Sequence, residues 1–380
     1  MRRWVVRFAG LVLLVPLLTG CWDVQSEHLL RLPTMFGVDW SHGQYQLTVQ
    51  SVAPNLVTTS SVGSGSSSSV PPLWIGVGKG RTFTDALLQS GIEDPLHTPL
   101  MTAHVSLLVL GKSALRPQAL NGLWDALLRN VNFYPSCYVV VSRGTSAAVM
   151  RAPDVLAPTP TDAFRRAMEH ASYADRLAPV AFWEVIERVY DEPYEGIVIP
   201  VVKVVSGPSP DRGTIFHFAG GAVLFENKLV GWLTPNQMQT WTILTNHSNT
   251  GALTVQQGAE RVVVAINRTH TWLRWRDRHI YVRTNAQISV IEVNTAQGLA
   301  DGAVPPAAAT LAAHKLDADI AQLIAWSQAH KVDILQLGHQ VAQFNRSQFP
   351  HDALAWPAIF AKSQVLVTVK VNIANNGRLT

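Results

Sequence analysis

Apolar residues in this chain of 380 residues occur in runs of strand length, and this pattern restricts the possible fold more than any other feature. Val105–Leu110 and Tyr138–Val141 are compact apolar runs, which are typical of buried strands. From Val365 to Ile373 an aliphatic residue stands at every second position, as in a strand with one buried face. Beyond residue 20 no apolar segment approaches the roughly 20 residues that a membrane-spanning helix needs. The rest of the chain is therefore expected to contain no transmembrane span.

Segments with helical spacing or helix-capping signals alternate with these strands. Thr82 and Asp85 can cap a helix that starts near residue 82, and Leu120–Arg129 has helical character. Thr234, Pro235 and Gln237 form a capping-box pattern, which predicts a helix from Pro235 to about Thr245. The sequence also predicts that 163–188 is largely helical, and that the apolar spacing from 316 to 344 is one long helix or two in series. We predict an α+β (mixed α/β) fold of consecutive domains, with mixed β-sheets and packed helices.

The first twenty residues have the pattern of a secretory signal peptide. A cationic head with three arginines and no acidic residue precedes the apolar run Phe8–Leu18. Leu18, Thr19, Gly20 and Cys21 then resemble the bacterial lipobox. That resemblance implies cleavage before Cys21 and a diacylglycerol on its thiol, which would anchor the chain to a membrane. The alternative is an ordinary signal peptide with a chance cysteine at its end.

Removal of this segment changes what the net charge means. The whole chain has a formal charge of +4, but residues 21–380 hold 27 basic and 26 acidic residues. The excess of positive charge therefore indicates export and gives no reason to expect a nucleic-acid partner. Of the two cysteines, Cys137 follows Ser136 at the start of an apolar run and is expected to pack as a small buried residue.

Composition breaks suggest three domains after the signal peptide at 1–20. The segment 206–213 contains two prolines and two glycines and separates an N-terminal α/β domain, 21–205, from a small middle domain, 212–260. The middle domain is expected to consist of a hairpin and the capped helix. A C-terminal α+β domain, 262–380, then follows.

No motif in the sequence predicts catalysis or a bound cofactor. There is no His-Glu-x-x-His zinc motif and no Gly-x-Ser-x-Gly elbow, and Gly76–Thr82 lacks the spacing of a phosphate-binding loop. His97 and His104 have no acidic neighbours at ligand spacing, so a structural or surface role is expected for them. Trp272–Arg278 mixes aromatic and cationic residues, which suits nucleic acid or anionic lipid. We interpret this segment as a solvent-facing strand and turn. Because catalytic motifs are missing, an envelope hydrolase is the least favoured function for the chain.

Short motifs across nearly the whole chain resemble, in order, those of the Ger(x)C family, the lipoprotein C subunits of spore germinant receptors. At one of these positions Ala103 replaces the glycine that the family often has before His104. The matching motifs are Gly20-Cys21-Trp22-Asp23, Gly37-Val38-Asp39, Gly80-Arg81-Thr82 with Asp85-Ala86, His104-Val105 with Gly111, Gly221–Phe225 with Lys228–Leu233, Val332–Gly338, Trp356, and Val369–Ile373 with Gly377.

The resemblance implies a role in a receptor rather than in catalysis. It implies two integral-membrane partners, an A-type and a B-type subunit, with this chain held by the lipid on Cys21 at the outer face of the spore inner membrane. It implies no enzyme activity, no cofactor and no nucleic-acid partner, and a role in receptor assembly or signalling. The alternative function is the solute-binding lipoprotein of an importer, which would need two lobes with a hinge and a ligand cleft.

Overall fold

The computed structural model describes residues 31–52, 73–92, 100–152, 159–171, 175–207, 214–248, 250–257, 260–294 and 307–375. In these ranges twelve strands form one eight-stranded and one four-stranded sheet, and nine α-helices pack against them. The predicted α+β class is confirmed. Among the described helices, none combines the length and the apolar character needed to cross a membrane.

The larger sheet has four parallel strands at its centre and antiparallel strands on both sides. Its order is β3-β2-β1-β4-β5-β6-β7-β8. The compact apolar runs of the sequence form the two central strands β4 and β5, whose residues are almost all buried. The strands are β1 (Leu32–Ser41), β2 (Gln44–Val52), β3 (Leu73–Gly80), β4 (Leu107–Gly111), β5 (Tyr138–Ser142), β6 (Ile197–Ser206), β7 (Thr214–Phe225) and β8 (Lys228–Leu233).

Helices cover both faces of this sheet. On one face Trp124 and Phe182 pack with alternate strand residues such as Phe36, and on the other face Met150 and Phe164 pack with the residues between them. This alternation is the period of two that strands impose on a sheet with two buried faces. The helices are α1 (Phe83–Ile92), α2 (Pro117–Arg129), α3 (Ser146–Arg151), α4 (Pro160–Glu169) and α5 (Phe182–Ile186), with a π-helical continuation Glu187–Asp191.

One predicted helical segment is wrong in part. Residues 163–188 do not form one largely helical stretch, because α4 ends at Glu169 and α5 begins at Phe182. Between them the backbone runs extended near Pro179, and the N–H of Val139 donates to the carbonyl of Val180. Proline lacks the backbone N–H that a helix interior needs, so the helix does not continue through Pro179. The extended segment instead accepts a hydrogen bond from the start of β5.

Two hairpins of the larger sheet connect their strands through two-residue turns in which both residues have positive φ. His42 and Gly43 join β1 to β2 with φ of 51° and 75°, and Glu226 and Asn227 join β7 to β8 with φ of 50° and 56°. Positive φ at both central residues is the geometry of the two-residue turn that matches strand twist. The second of these is the hairpin that the sequence predicts within 212–260, and its strand pairing is confirmed.

The segment at the predicted boundary between the first two domains lies between paired strands. β6 and β7 are antiparallel neighbours, with Ser206 opposite Thr214, so the hairpin of the predicted middle domain belongs to the eight-stranded sheet. Most of the segment itself, 208–213, lies outside the described residues, as does all of the Ser/Gly-rich stretch at 58–69. The three-domain division stays a prediction.

The smaller sheet has the order β12-β11-β10-β9 and follows a capped helix. That helix, α6 (Pro235–Leu244), begins with the reciprocal capping box of Thr234 and Gln237, as the sequence predicted. The strands are β9 (Gly251–Gln257), β10 (Glu260–Arg276), β11 (His279–Asn294) and β12 (Gln364–Asn375), and β12 runs parallel to β11.

Three helices make the crossover from β11 to β12. They are α7 (Ala308–Ala329), α8 (Leu337–Phe344) and α9 (Trp356–Ala361), so the helical spacing from 316 to 344 is two helices separated by a buried loop. Trp356 and Phe360 are fully buried in a core that also contains Val198, Val223 and Trp241. This core joins the end of the larger sheet to the smaller one.

Candidate functional site

The predicted lipidation site lies outside the described residues. This applies to Leu18, Thr19, Gly20 and Cys21 alike, so the lipid anchor remains a prediction. The structure places the remaining family motifs, apart from Trp22, Asp23 and Gly377, which also lie outside the described residues.

The motif Gly37-Val38-Asp39 holds the start of helix α3 against strand β1. The buried Asp39 carboxylate accepts hydrogen bonds from the backbone N–H of Ser146 at 3.0 Å and from its hydroxyl at 2.7 Å. A Cβ on Gly111 would lie 1.7 Å from the Asp39 carboxylate, and a Cβ on Gly37 would lie 2.3 Å from Sδ of Met150. Both glycines are therefore required by close packing around one buried cap.

The motif that begins at Gly80 is a reciprocal cap on helix α1. Thr82 donates its backbone N–H to Asp85, and Asp85 donates its own to the Thr82 hydroxyl at 3.1 Å. A Cβ on Gly80 would lie 2.5 Å from the backbone nitrogen of Ala86, so the strand approaches the helix as closely as glycine allows. The motif serves packing rather than phosphate binding.

Asp333 is the centre of the motif Val332–Gly338 and is completely buried. Its carboxylate accepts hydrogen bonds from the backbone N–H groups of Leu335 at 3.0 Å and Gly338 at 2.9 Å, and from the indole N–H of Trp356 at 2.8 Å. Burial raises the pKa of Asp333, while these three donors act in the opposite direction. The motif and the later tryptophan thus form one unit that fixes the loop between α7 and α8.

A second buried acidic group joins this loop to the larger sheet. Glu195 lies just before β6 and accepts a hydrogen bond from the backbone N–H of His339 in α8. Burial raises the pKa of Glu195 well above its ordinary value, and the neighbouring Asp333 and Glu192 raise it further. Arg188 pairs with Glu192 and lies 3.6 Å from Glu195, which partly offsets this repulsion. Glu195 and His339 are 144 residues apart in the chain, so no local sequence pattern indicated their contact.

Replacing Glu195 with Gln should flatten the pH dependence of stability. A carboxyl group whose pKa is raised by folding binds its proton more tightly in the folded state. The free energy of unfolding therefore falls as pH rises from about 4.3, the ordinary carboxyl pKa, through the raised value. Urea unfolding at several pH values should show that the free energy of unfolding falls less with rising pH for E195Q than for the wild type.

The control for this comparison is Glu169→Gln on the exposed part of α4, which should keep the wild-type slope. If the plots of unfolding free energy against pH are parallel for E195Q and the wild type, the pKa of Glu195 is not raised.

The described part of the chain contains no candidate metal site. No group of three or more His, Cys, Asp or Glu side chains there is placed to hold a metal ion. Cys137 is buried as predicted, and burial raises the pKa of its thiol, which keeps it protonated and unreactive. His104 is exposed at the end of a short 3-10 turn, and His97 lies outside the described residues.

The aromatic and cationic segment at Trp272–Arg278 forms the end of β10 and its turn into β11. Trp275 is buried and donates its indole N–H to Ser363 at 2.8 Å, whereas Trp272, Arg274 and Arg276 are exposed. The exposed side chains of β10 to β12 form one surface of the smaller sheet. We call this surface the basic face; it comprises Arg268, His270, Trp272, Arg274, Arg276, Tyr281, Arg283, Asn285, Leu366, Thr368 and Lys370.

An open groove of about 1230 Å³ lies along the basic face. It is lined by Trp272, Arg274, Tyr281 and Arg283, and also by Phe344 at the end of α8. Four other cavities that described residues form are smaller, with volumes from about 130 to 580 Å³. The basic face is therefore the candidate interaction surface of the chain.

Two family profiles match the chain one after the other. The profile of the spore germination protein N-terminal domain matches residues 29–204, and that of the spore germination B3/GerAC-like C-terminal domain matches residues 219–377. The chain belongs to this family of spore germination proteins. The resemblance inferred from the ordered motifs is thereby confirmed, and the buried units around Asp39 and Asp333 each lie within one of the two matched regions.

Characterised relatives agree with the family. Spore germination protein B3 of Bacillus subtilis is 23% identical over 70% of this chain and 68% of its own length. Spore germination protein A3 of the same organism is 23% identical over 66% of this chain and 64% of its own length. The crystal structure of the GerBC protein superposes with a TM-score of 0.54 at 17% identity, over 90% of this chain and 97% of that chain, which shows a shared fold.

Proposed function

We propose that this chain is a lipid-anchored, non-enzymatic subunit of a nutrient germinant receptor, needed for receptor assembly or signalling. The observation that carries the proposal is the match of both family profiles, in order, over most of the chain. The same match favours this function over solute binding for an importer. The similar proteins of Bacillus subtilis are named as spore germination proteins, which supports a site of action in spores.

The proposal includes partners and a location. Two integral-membrane subunits, of the A type and the B type, would assemble with this chain, and the lipid on Cys21 would hold it at the outer face of the spore inner membrane. The lipobox pattern from Leu18 to Cys21 supports the anchor. Two acyl chains hold a protein durably, since each buried methylene contributes about 0.8 kcal/mol.

Deletion of the gene tests the proposal in spores that have no second receptor of this type. Deleted spores should fail to germinate with nutrients but should germinate normally with agents that bypass receptors. Reintroduction of the wild-type gene should restore the nutrient response. A normal nutrient response in the deleted spores would contradict the proposed function.

A further inference from the structure

The basic face carries positive charge with no compensating acid of its own. From Arg268 to Arg276 on β10, from Tyr281 to Gln287 on β11 and from Gln364 to Asn372 on β12, no outward position is Asp or Glu; the exposed Glu292 lies farther along β11, opposite Val263. In the described part of the chain Arg268, Arg274 and Arg283 form no ion pair, and Arg276 pairs only with Asp277 of the adjacent turn at 3.2 Å. A surface with this charge attracts anions.

Aromatic and cationic side chains alternate across the strands of this face. Trp272 stands opposite Arg283, and Arg274 stands opposite Tyr281. Trp272 is 48% exposed and Tyr281 is 43% exposed, and Phe344 at the margin of the groove is 77% exposed. Large aromatic side chains held in water at a cationic surface are costly unless another surface covers them.

The covering surface that fits these side chains is a membrane rich in anionic phospholipid. Arginine forms paired hydrogen bonds with phosphate oxygens, and clustered Arg and Lys residues are attracted to anionic headgroups. Trp and Tyr are enriched at the level of the headgroups because one end of each ring is polar. A face with both kinds of residue has the composition of an interfacial surface.

The predicted lipid anchor favours a bilayer over an acidic protein segment as the occupant. Cys21 precedes Arg31, the first described residue, by only ten residues. Ten residues span at most about 35 Å, so the anchor would keep the folded chain near the headgroups. This step rests on the proposed function, since it assumes that the chain is attached to a membrane.

We infer that the basic face binds the anionic headgroups of the membrane and thereby fixes the orientation of the anchored chain. The anchor holds the chain at the bilayer, and the basic face decides which side is turned toward it. The opposite surface of the smaller sheet is covered by α7, which leaves the larger sheet and its helices available to other subunits.

Vesicle binding tests this inference without any lipid on the protein. The mature chain carrying Cys21→Ser should sediment with vesicles of phosphatidylglycerol and phosphatidylcholine in equal parts, and should not sediment with pure phosphatidylcholine. Binding should weaken as salt is added, because the attraction is electrostatic. Failure to bind the anionic vesicles, or equal binding to both kinds, would overturn the inference and would leave the germination test of the proposed function unaffected.

Paired substitutions locate the binding surface. R274Q/R283Q should weaken vesicle binding about 25-fold, a factor of about five for each lost charge. The matched control K112Q/R151Q removes two exposed charges from the part of the chain that carries the larger sheet, and should change binding little. Circular dichroism verifies folding, and R268Q/K370Q is the second variant if the first one unfolds. An equal loss of vesicle binding in the control and in either basic-face variant would contradict the inference.

Polyglutamate distinguishes a lipid from an acidic protein segment. It should compete poorly with the anionic vesicles, because it offers no interface for Trp272 and Tyr281. If polyglutamate binds the basic face and anionic vesicles do not, then the face takes an acidic protein segment and the inference is wrong.

Discussion

Asp333→Ala should lower the free energy of unfolding by about 3–5 kcal/mol. The substitution leaves three buried donors without an acceptor: the N–H groups of Leu335 and Gly338, and the indole N–H of Trp356. A buried donor without a partner loses its hydration and gains nothing in return. Urea unfolding followed by circular dichroism measures the change.

The matched control is Asp317→Ala, on the exposed side of α7. It removes the same chemical group from the surface and should change stability by no more than about 0.5 kcal/mol. Asp333→Asn should cause a loss of stability between those of D333A and D317A. One side-chain oxygen can still accept a hydrogen bond, but the new amide NH2 group faces backbone and indole donors. A loss below about 1 kcal/mol for D333A would show that the buried unit does not hold the loop before α8.

Asp39→Ala should destabilise the larger sheet by about 2–4 kcal/mol. The carboxylate caps the start of α3 through the backbone and hydroxyl of Ser146, and Ser113 also donates to it at 3.4 Å. Because Asp39 is almost fully buried, water cannot replace these hydrogen bonds. Urea unfolding again gives the size of the loss.

Asp85→Ala is the comparison for this prediction, since it removes an exposed helix cap instead of a buried one. Solvent can satisfy the donors of α1, so the loss should be about 1 kcal/mol or less. If D39A and D85A cost the same, burial does not strengthen the cap at Asp39, and the role assigned to the Gly37–Asp39 motif is wrong.

Local signals in the sequence predicted most of the individual elements. The capping box at Thr234, the turn at Glu226 and Asn227, and the alternation that became β12 each depend on neighbouring residues alone. Chemistry that acts within a few residues can be recognised without a structure. The sequence did not predict that the helical segment 163–188 is interrupted near Pro179. The extended backbone there pairs with β5, which is distant in sequence.

The sequence did not reveal how the elements assemble. The continuation of the larger sheet across the segment at 206–213 depends on pairing between β6 and β7, and a stretch rich in proline and glycine marks a domain boundary and a hairpin loop equally well. The contact between Glu195 and His339 joins positions 144 residues apart. No local pattern indicates such a pair.

The sequence identified the residues of the candidate surface only in part. The mixture of tryptophan and arginine at 272–278 was visible, and a solvent-facing strand and turn was the favoured interpretation. The structure adds that alternate residues face outward and that Arg283 and Lys370 come from neighbouring strands to the same face. A surface assembled from three strands cannot be inferred from one of them.

The most direct test of the central claim is nutrient-triggered germination of spores in which Cys21→Ala replaces the wild-type gene. We expect these spores to respond to nutrients as poorly as deleted spores do, while agents that bypass receptors still cause normal germination. Serine at position 21 should give the same defect, because neither residue can accept the lipid. A wild-type nutrient response in the C21A spores would contradict the claim that this chain acts as a lipid-anchored receptor subunit.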